Sequence, residues 1–248
     1  MSERTINSTR QNKSSSVAFY YNGRGGYSGP YAEYERLIVS CLQPGKTILD
    51  VGCGRTFPMA EKWLATGADV YGIDPVINAD AMLPGVEAVQ GGAEKVPYLD
   101  EMFDLIVSCA VLEHLEQPQP VFHEFYRLLK PNGRAILLTP SKYDYVSLAA
   151  NLIPNKFHGG IVNATEGRDE TDTFPTFYRA NSRKQFKILA ADTGFVLEKI
   201  QYLDQSPYAL RFNPLLYRLG CFYHYLVRSI KSLNFLNGWL LCVLVKHS

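Results

Sequence analysis

Residues 48–54 read Ile-Leu-Asp-Val-Gly-Cys-Gly, and this stretch decides the fold. Ile48, Leu49 and Val51 describe a buried strand, and two glycines one residue apart break it into a tight turn. Without side chains at Gly52 and Gly54, a ligand can lie directly against the backbone. Asp50 puts a carboxylate at the C-terminal end of the strand, where open α/β sheets bind their ligands. A dinucleotide-binding turn continues to a third glycine, G-x-G-x-x-G, for close helix packing and a pyrophosphate docked on the helix N-terminus. Here Phe57 holds that position, with Pro58 behind it. An acid ahead of the first glycine also suits a cation better than a pyrophosphate. The loop points away from a dinucleotide.

Outward from this turn, the chain alternates between two periodicities. Apolar runs at 47–51, 69–73, 86–89, 104–108 and 134–139 predict strands. Helical spacing predicts helices near 59–66 and 118–130, the second carrying Val121, Phe122, Phe125, Leu128 and Leu129 on one face before Pro131-Asn132-Gly133. Alternation of this kind makes a parallel sheet with helices on both faces. Pro30 followed by Tyr34, Leu37, Ile38 and Cys41 predicts a leading helix that ends at Pro44-Gly45. After Pro140 the rhythm breaks, and residues 141–181 read as a long irregular excursion of the sort that usually serves as a lid or binding loop. A helix near 182–193, a strand at 195–203, a helix at 214–231 and a final strand from Trp239 to Lys246 complete the chain.

Composition bounds the function. The 248 residues allow one elaborated domain with a large core. Lysine and arginine number 25 against 24 acids, a balance without the basic footprint of a nucleic-acid-binding protein. Cysteines 41, 53, 109, 221 and 242 are scattered, with no zinc spacing, so no metal is expected and a reducing cytoplasm is. Residues 1–16 lack a hydrophobic signal core and read as a flexible tail, leaving 17–248 as a single domain. No run approaches the ~20 apolar residues of a spanning helix.

Four segments, in order and at ordinary spacing, resemble the class I S-adenosylmethionine-dependent methyltransferases of the small-molecule group. They are Asp50-Val-Gly-Cys-Gly54, Tyr71-Gly-Ile-Asp-Pro75, the run Phe103 to Leu115, and the run Arg127 to Pro140. The resemblance covers roughly 46–140. It implies an α/β fold with a Rossmann-like doubly wound sheet, mostly parallel with an antiparallel last strand. It also implies S-adenosylmethionine as cofactor, with 46–140 as the cofactor-binding core and 141–181 and 205–237 as insertions covering the acceptor. Asp50 is then expected to orient the cofactor ammonium, and Gly52, Cys53 and Gly54 to lie along its amino-acid end. Asp74, 24 residues on, can accept both ribose hydroxyls in a bidentate, charge-assisted contact, with Pro75 beside it. Ser108 and Cys109 end the fourth strand, where the family's main chain meets the amino-acid portion. One motif departs from the family: Gly91-Gly92-Ala93-Glu94 has Gly92 where an acid usually accepts from the adenine amino group. Backbone around Ala93 can still read the adenine edge, and Glu94 is either part of that contact or a solvated helix-start acid.

Methyl transfer from a sulfonium needs alignment more than covalent help, and ideal orientation supplies on the order of 7–11 kcal/mol. A base is needed only for a protonated nucleophile. His114, beside Glu113, and His158, beside Gly159-Gly160, are the candidates. In 19–31, FYYNGRGGYSGPY, Tyr21 is assigned to the cofactor and Tyr20 to the acceptor, with Arg24 as a further candidate. Within the excursion, Tyr143, Arg168, Phe174, Tyr178 and Arg179 are acceptor candidates, and the arginines suit a carboxylate or phosphate. Leu215, Leu216, Leu219, Phe222, Tyr223, Leu226, Val227 and Ile230 share one helical face in 214–231. That face is expected to cover the core, and the alternative is a basic amphipathic helix in peripheral contact with a membrane. The function expected is methylation of O, N or C on a small, aromatic or lipophilic metabolite in the cytoplasm. The alternatives are a membrane-borne lipid or quinone-like acceptor, and a non-catalytic binding module.

Overall fold

In a computed structural model, the chain is described over residues 29–148 and 174–247, apart from positions 79, 81, 146, 206, 208, 209, 211 and 212. Helix α1 (Pro30–Cys41) leads into β1 (Thr47–Val51), α2 (Ala60–Leu64), β2 (Asp69–Asp74) and β3 (Val86–Gln90). Next come β4 (Phe103–Cys109), a 3-10 turn (Leu112–His114), α3 (Pro118–Leu128) and β5 (Leu129–Pro140). After the excursion follow α4 (Arg183–Thr193), β6 (Val196–Leu203), α5 (Pro214–Ser229), a 3-10 segment (Lys231–Leu236) and β7 (Trp239–Val245).

The seven strands lie in the order β3-β2-β1-β4-β5-β7-β6. The first five are parallel, and β7 runs antiparallel to both β5 and β6. This is the class I methyltransferase architecture the sequence predicts. Sequence order reverses between β1 and β4, which opens a crevice at the carboxyl edge of those two strands. Pro140 pairs with Trp239, and Leu203 pairs with the same residue. The excursion after β5 and the α5 insertion therefore both leave from that carboxyl edge.

Period-two alternation sorts the sheet into two cores. Leu49, Val51, Ala135, Leu137, Leu240 and Cys242 face α3 and α4. Ile48, Leu105, Val107, Ile136, Leu138 and Leu241 face α1 and α2. Edge strands β3 and β6 are only partly buried. Helix α4 is bounded as its sequence demands, with the Ser182 hydroxyl accepting from the Gln185 amide and Gly194 at φ 85° closing the other end. The strand β5 begins at Leu129, earlier than the apolar run predicts. Lys246 extends the pairing there, since its carbonyl accepts from Asn132 N at 2.7 Å and its amide donates to Gly133 O at 3.0 Å.

One expectation is corrected in α5. Leu215 is 66% exposed, Leu219 56% and Phe222 60%, so most of the apolar face expected to cover the core points outward, and of its residues Val227 alone is buried. The buried residues are Gly220, His224 and Val227. The physical reason is a polar anchor. Nδ1 of His224 lies 2.6 Å from Asp204 Oδ1, and burying that pair fixes the helix's rotation. A side chain at Gly220 would meet Pro207 Cβ at 2.7 Å, so close backbone approach is needed on the same side. No described helix is long and apolar enough to cross a membrane.

At the amino edge, Asp104 joins three strand starts. Its carboxylate accepts from Lys46 Nζ at 2.7 Å, Thr47 N at 3.1 Å and Lys130 Nζ at 2.6 Å. Burial works to raise this carboxyl, but hydrogen bonds from Lys130, Lys46 and Thr47 outweigh it and hold it well below the usual carboxylate range. A carboxyl that ionises more readily folded than unfolded contributes fully above its unfolded value near pH 4, and its contribution fades as pH falls toward the folded value. Asp104→Asn is therefore expected to cost about 1–3 kcal/mol near neutrality and to flatten the acid loss of stability below about pH 4. Urea unfolding over a pH series measures both.

Candidate functional site

The turn after β1 is tied down from β2. The Gly52 amide donates to Ile73 O at 2.8 Å, and the Gly54 amide donates to Asp74 Oδ2 at 2.9 Å. Asp74 Oδ1 accepts from Val76 N at 2.8 Å. Each Asp74 oxygen thus serves its own loops and keeps a second acceptor site for a ligand. Gly52 sits at φ 86°, and a Cβ on it would stand 2.1 Å from Val111 Cγ2, so the residue is confined to glycine by conformation and by space. Gly54, at φ 74°, has open space beside it.

Phe57 explains why the third glycine is absent. Its ring is fully buried against Trp63, with centroids 5.7 Å apart in an edge-to-face contact. It also presses on the bare backbone of Gly72 in β2, where a Cβ would come within 2.7 Å of Phe57 Cε1. Phe57 adopts φ 46°, which costs about 1–2 kcal/mol for a side-chain-bearing residue. Full burial of its ring, worth about 1.5–3 kcal/mol, offsets that. The loop is filled from within by an aromatic ring, at the place where a dinucleotide turn keeps a bare glycine.

Asp50 is buried at the end of β1. Burial first, and then the charge of Asp74, pushes its carboxyl up to about 8. Such a group is relieved by a cation brought close to it. Pro75 and Glu94 are exposed and Ala93 is buried, and the Gly91 amide donates to Asp74 O at 3.1 Å. At the departing motif, a Cβ on Gly92 would meet Glu94 Oε2 at 2.6 Å. The Glu94 carboxylate lies over the place that the missing acid would fill.

The side chains of the remaining cofactor candidates are engaged within the fold. Ser108 is fully buried and its hydroxyl donates to Val51 O at 2.8 Å, locking β4 to β1. The Cys53 thiol packs toward Gly72 in the core. Burial chiefly, with the charges of Asp50 and Glu113 adding to it, pushes the Cys109 thiol well above its ordinary value, so no thiolate is on hand.

Beyond β4 the chain makes a second hub. Glu113 is buried, its carbonyl accepting from Phe177 N at 2.7 Å and Tyr178 N at 3.2 Å, and its Oε2 from the Thr139 hydroxyl at 3.2 Å. Asn181 Nδ2 donates to that hydroxyl at 2.6 Å. His114 Nδ1 lies 2.9 Å from Pro175 O, which can only accept, so the proton sits on Nδ1 and Nε2 carries the lone pair. Nε2 is 3.9 Å from Glu113 Oε1. Phe174 packs edge-on to the His114 ring, with centroids 5.9 Å apart.

Acceptor candidates divide. Tyr143 is partly exposed and borders a cavity of about 490 Å³ with Tyr202, Arg183 and Lys187. Tyr178 is buried at φ 51° in the strap over Glu113. Arg179 donates to Glu116 O at 2.7 Å and lies over the Phe177 ring, so its guanidinium is engaged in holding the strap. Tyr20, Tyr21, Arg24, His158 and Arg168 lie outside the described residues. Among the described residues no group of His, Cys, Asp or Glu is placed to hold a metal ion.

Two features of this edge escape sequence reading. Trp239 Nε1 donates to Gln205 Oε1 at 2.6 Å while its ring meets Tyr31 of α1 at 5.0 Å. The Asp204–His224 pair lies under α5, with the Tyr145 and Tyr223 rings against the imidazole at 5.9 and 5.3 Å. An acid just beyond the end of β6, like those ending β1 and β2, is the signal that marks Asp204.

Residues 49–137 match the family described as a methyltransferase domain. The ubiquinone biosynthesis O-methyltransferase of Photorhabdus laumondii is 35% identical over 107 residues, 38% of this chain and 43% of that protein. Phosphoethanolamine N-methyltransferase 3 of Arabidopsis thaliana is 33% identical over 142 residues, 51% of this chain and 28% of that protein. The match spans less than half the length of each. Among solved structures, geranyl diphosphate C-methyltransferase from Streptomyces coelicolor, in complex with Mg2+, geranyl diphosphate and S-adenosyl-L-homocysteine, aligns with TM-score 0.57. Identity there is 18%, covering 87% of this chain and 79% of that one, so the likeness is one of fold.

Two binding measurements probe the turn. Asp74→Ala is expected to weaken S-adenosylmethionine binding by about 1–3 kcal/mol in titration calorimetry, and an unchanged affinity would move the site elsewhere. Asp50 is expected to make binding pH-dependent, because a cationic ligand held against it would favour the ionised carboxyl and release a proton on binding. Affinity is expected to climb from pH 6 toward 8, by up to about tenfold per unit, and Asp50→Asn to flatten the climb. Ligand-free stability runs the other way, declining between about pH 4 and 8, because the folded state holds that proton longer.

Proposed function

Because the chain belongs to the class I S-adenosylmethionine-dependent methyltransferases, we propose that it transfers a methyl group from that cofactor to O, N or C of a small-molecule acceptor of aromatic or lipophilic character. The observation that carries this reading is the pair of carboxylates on neighbouring strand ends, Asp50 and Asp74, flanking a turn whose third-glycine place is filled by Phe57. A buried carboxyl at about 8 is poorly matched to a pyrophosphate and well matched to an ammonium or sulfonium.

S-adenosylmethionine, when bound, supplies a methyl group on positive sulfur, which leaves as a neutral thioether. The protein's task is then to bind, align and exclude water. Asp50 holds the ammonium, the Gly52–Gly54 backbone lies along the amino-acid end, and Asp74 accepts from the ribose. Glu94, lying over Gly92, takes the place of the missing acid toward the adenine amino group. Tyr21 is assigned to the cofactor and Tyr20 to the acceptor, and Tyr143 and Phe174 are the exposed aromatic acceptor candidates among the described residues. His114 takes the proton of a hydroxyl or ammonium nucleophile at Nε2, and Glu113 steadies the resulting charge. His158 is the second candidate for that proton.

Titration calorimetry with S-adenosylmethionine, S-adenosylhomocysteine and NAD tests the donor, and tight NAD binding without sulfonium binding overturns it. A panel of phenolic, amine and isoprenoid acceptors, scored by S-adenosylhomocysteine release, tests the transfer. With an acceptor in hand, His114→Ala is expected to keep cofactor affinity and to lower turnover by about 10²–10⁴-fold. Unchanged turnover would remove His114 from the mechanism.

A further inference from the structure

Helix α5 carries an apolar face that nothing in its own anchoring explains. Gly220, His224 and Val227 hold it to the fold. On the opposite side, Leu215, Leu219 and Phe222 are more than half exposed, one helical turn apart, and the half-buried Leu226 lies next along the stripe. Tyr225 is 58% exposed at its flank. Solvated helices turn polar residues outward, so this stripe is shaped for something other than water.

The charges beside it narrow the occupant. Arg218, Arg228 and Lys231 are exposed along the helix and its continuation. From Gln205 to the last residue the sequence contains no Asp or Glu, against five lysines and arginines. A second copy seated by two-fold symmetry would set these cations against their own counterparts. An apolar stripe, a flanking tyrosine and a one-signed cationic border match the interface of an anionic bilayer, where the stripe enters the acyl boundary and the cations meet headgroups.

We infer that α5 docks the protein on anionic lipid surfaces, its apolar stripe entering the interface while the Asp204–His224 pair fixes its outward rotation. Its anchors lie at the carboxyl edge: Tyr145, five residues past β5, packs on Tyr223 and His224, and the Tyr223 hydroxyl donates to Leu236 O at 3.1 Å. Docking there puts the mouth of the acceptor site at the membrane. Docking on lipid is independent of methyl transfer and needs no cofactor.

The full chain is floated with phosphatidylcholine vesicles, with and without phosphatidylserine. Association with the anionic vesicles is expected, weak association with the neutral ones, and release as salt near 1 M shortens the Debye length to about 3 Å. Leu219→Ser with Phe222→Ser, both at exposed positions, is expected to weaken partitioning at least about tenfold with an unchanged melting temperature. Arg218→Gln with Arg228→Gln is expected to abolish the preference for phosphatidylserine. Absence of vesicle association overturns the inference. So does a dimer, seen by light scattering, that the serine variant converts to monomer, since the stripe then belongs to a second copy.

Discussion

The hydrogen bond from the Gly54 amide to Asp74 is the constraint on which the rest of the site depends. It joins the turn after β1 to the end of β2 and spaces the two carboxylates. Together with the Gly52 amide on Ile73 O, it holds the glycine backbone open at the crevice between β1 and β4. Phe57 wedges the loop from below and Val111 covers Gly52 from above. Asp50 is left buried in a state that welcomes a cation.

The two halves of the sheet do different work. Strands β1 and β2 end in the carboxylates Asp50 and Asp74 beside the glycine turn. Strands β5, β7 and β6 send out the excursion and the α5 insertion. Glu113 and Asn181 join the halves by strapping residues 174–181 to the end of β5. His114 stands at this junction, its tautomer set by the strap's own carbonyl.

The strand and helix alternation was legible because period two and period 3.6 write themselves into single side chains, as in β1 and α3. Asp50, Asp74 and the glycines were legible for a similar reason, since they mark strand ends and turns. Contacts between distant residues leave no local mark. The burial of Phe57 depends on Gly72, fifteen positions away. The rotation of α5 depends on a buried pair twenty positions apart, and that polar contact overrides the hydrophobic pattern a helical wheel displays. The brace that the Ser108 hydroxyl makes to Val51 O also joins residues 57 positions apart, which no local pattern displays.

The Asp104 clip lies at the amino edge, and the carboxylates Asp50 and Asp74 and the His114 turn lie at the carboxyl edge, a full strand length away. Mutational robustness and catalytic novelty are thereby housed in separate places. A lineage could rebuild its loops for new acceptors, accepting the destabilisation that comes with each experiment, while reinforcement accumulates at the far end of the strands without disturbing the chemistry. The same separation offers an engineer a place to add stability that the active edge will not feel.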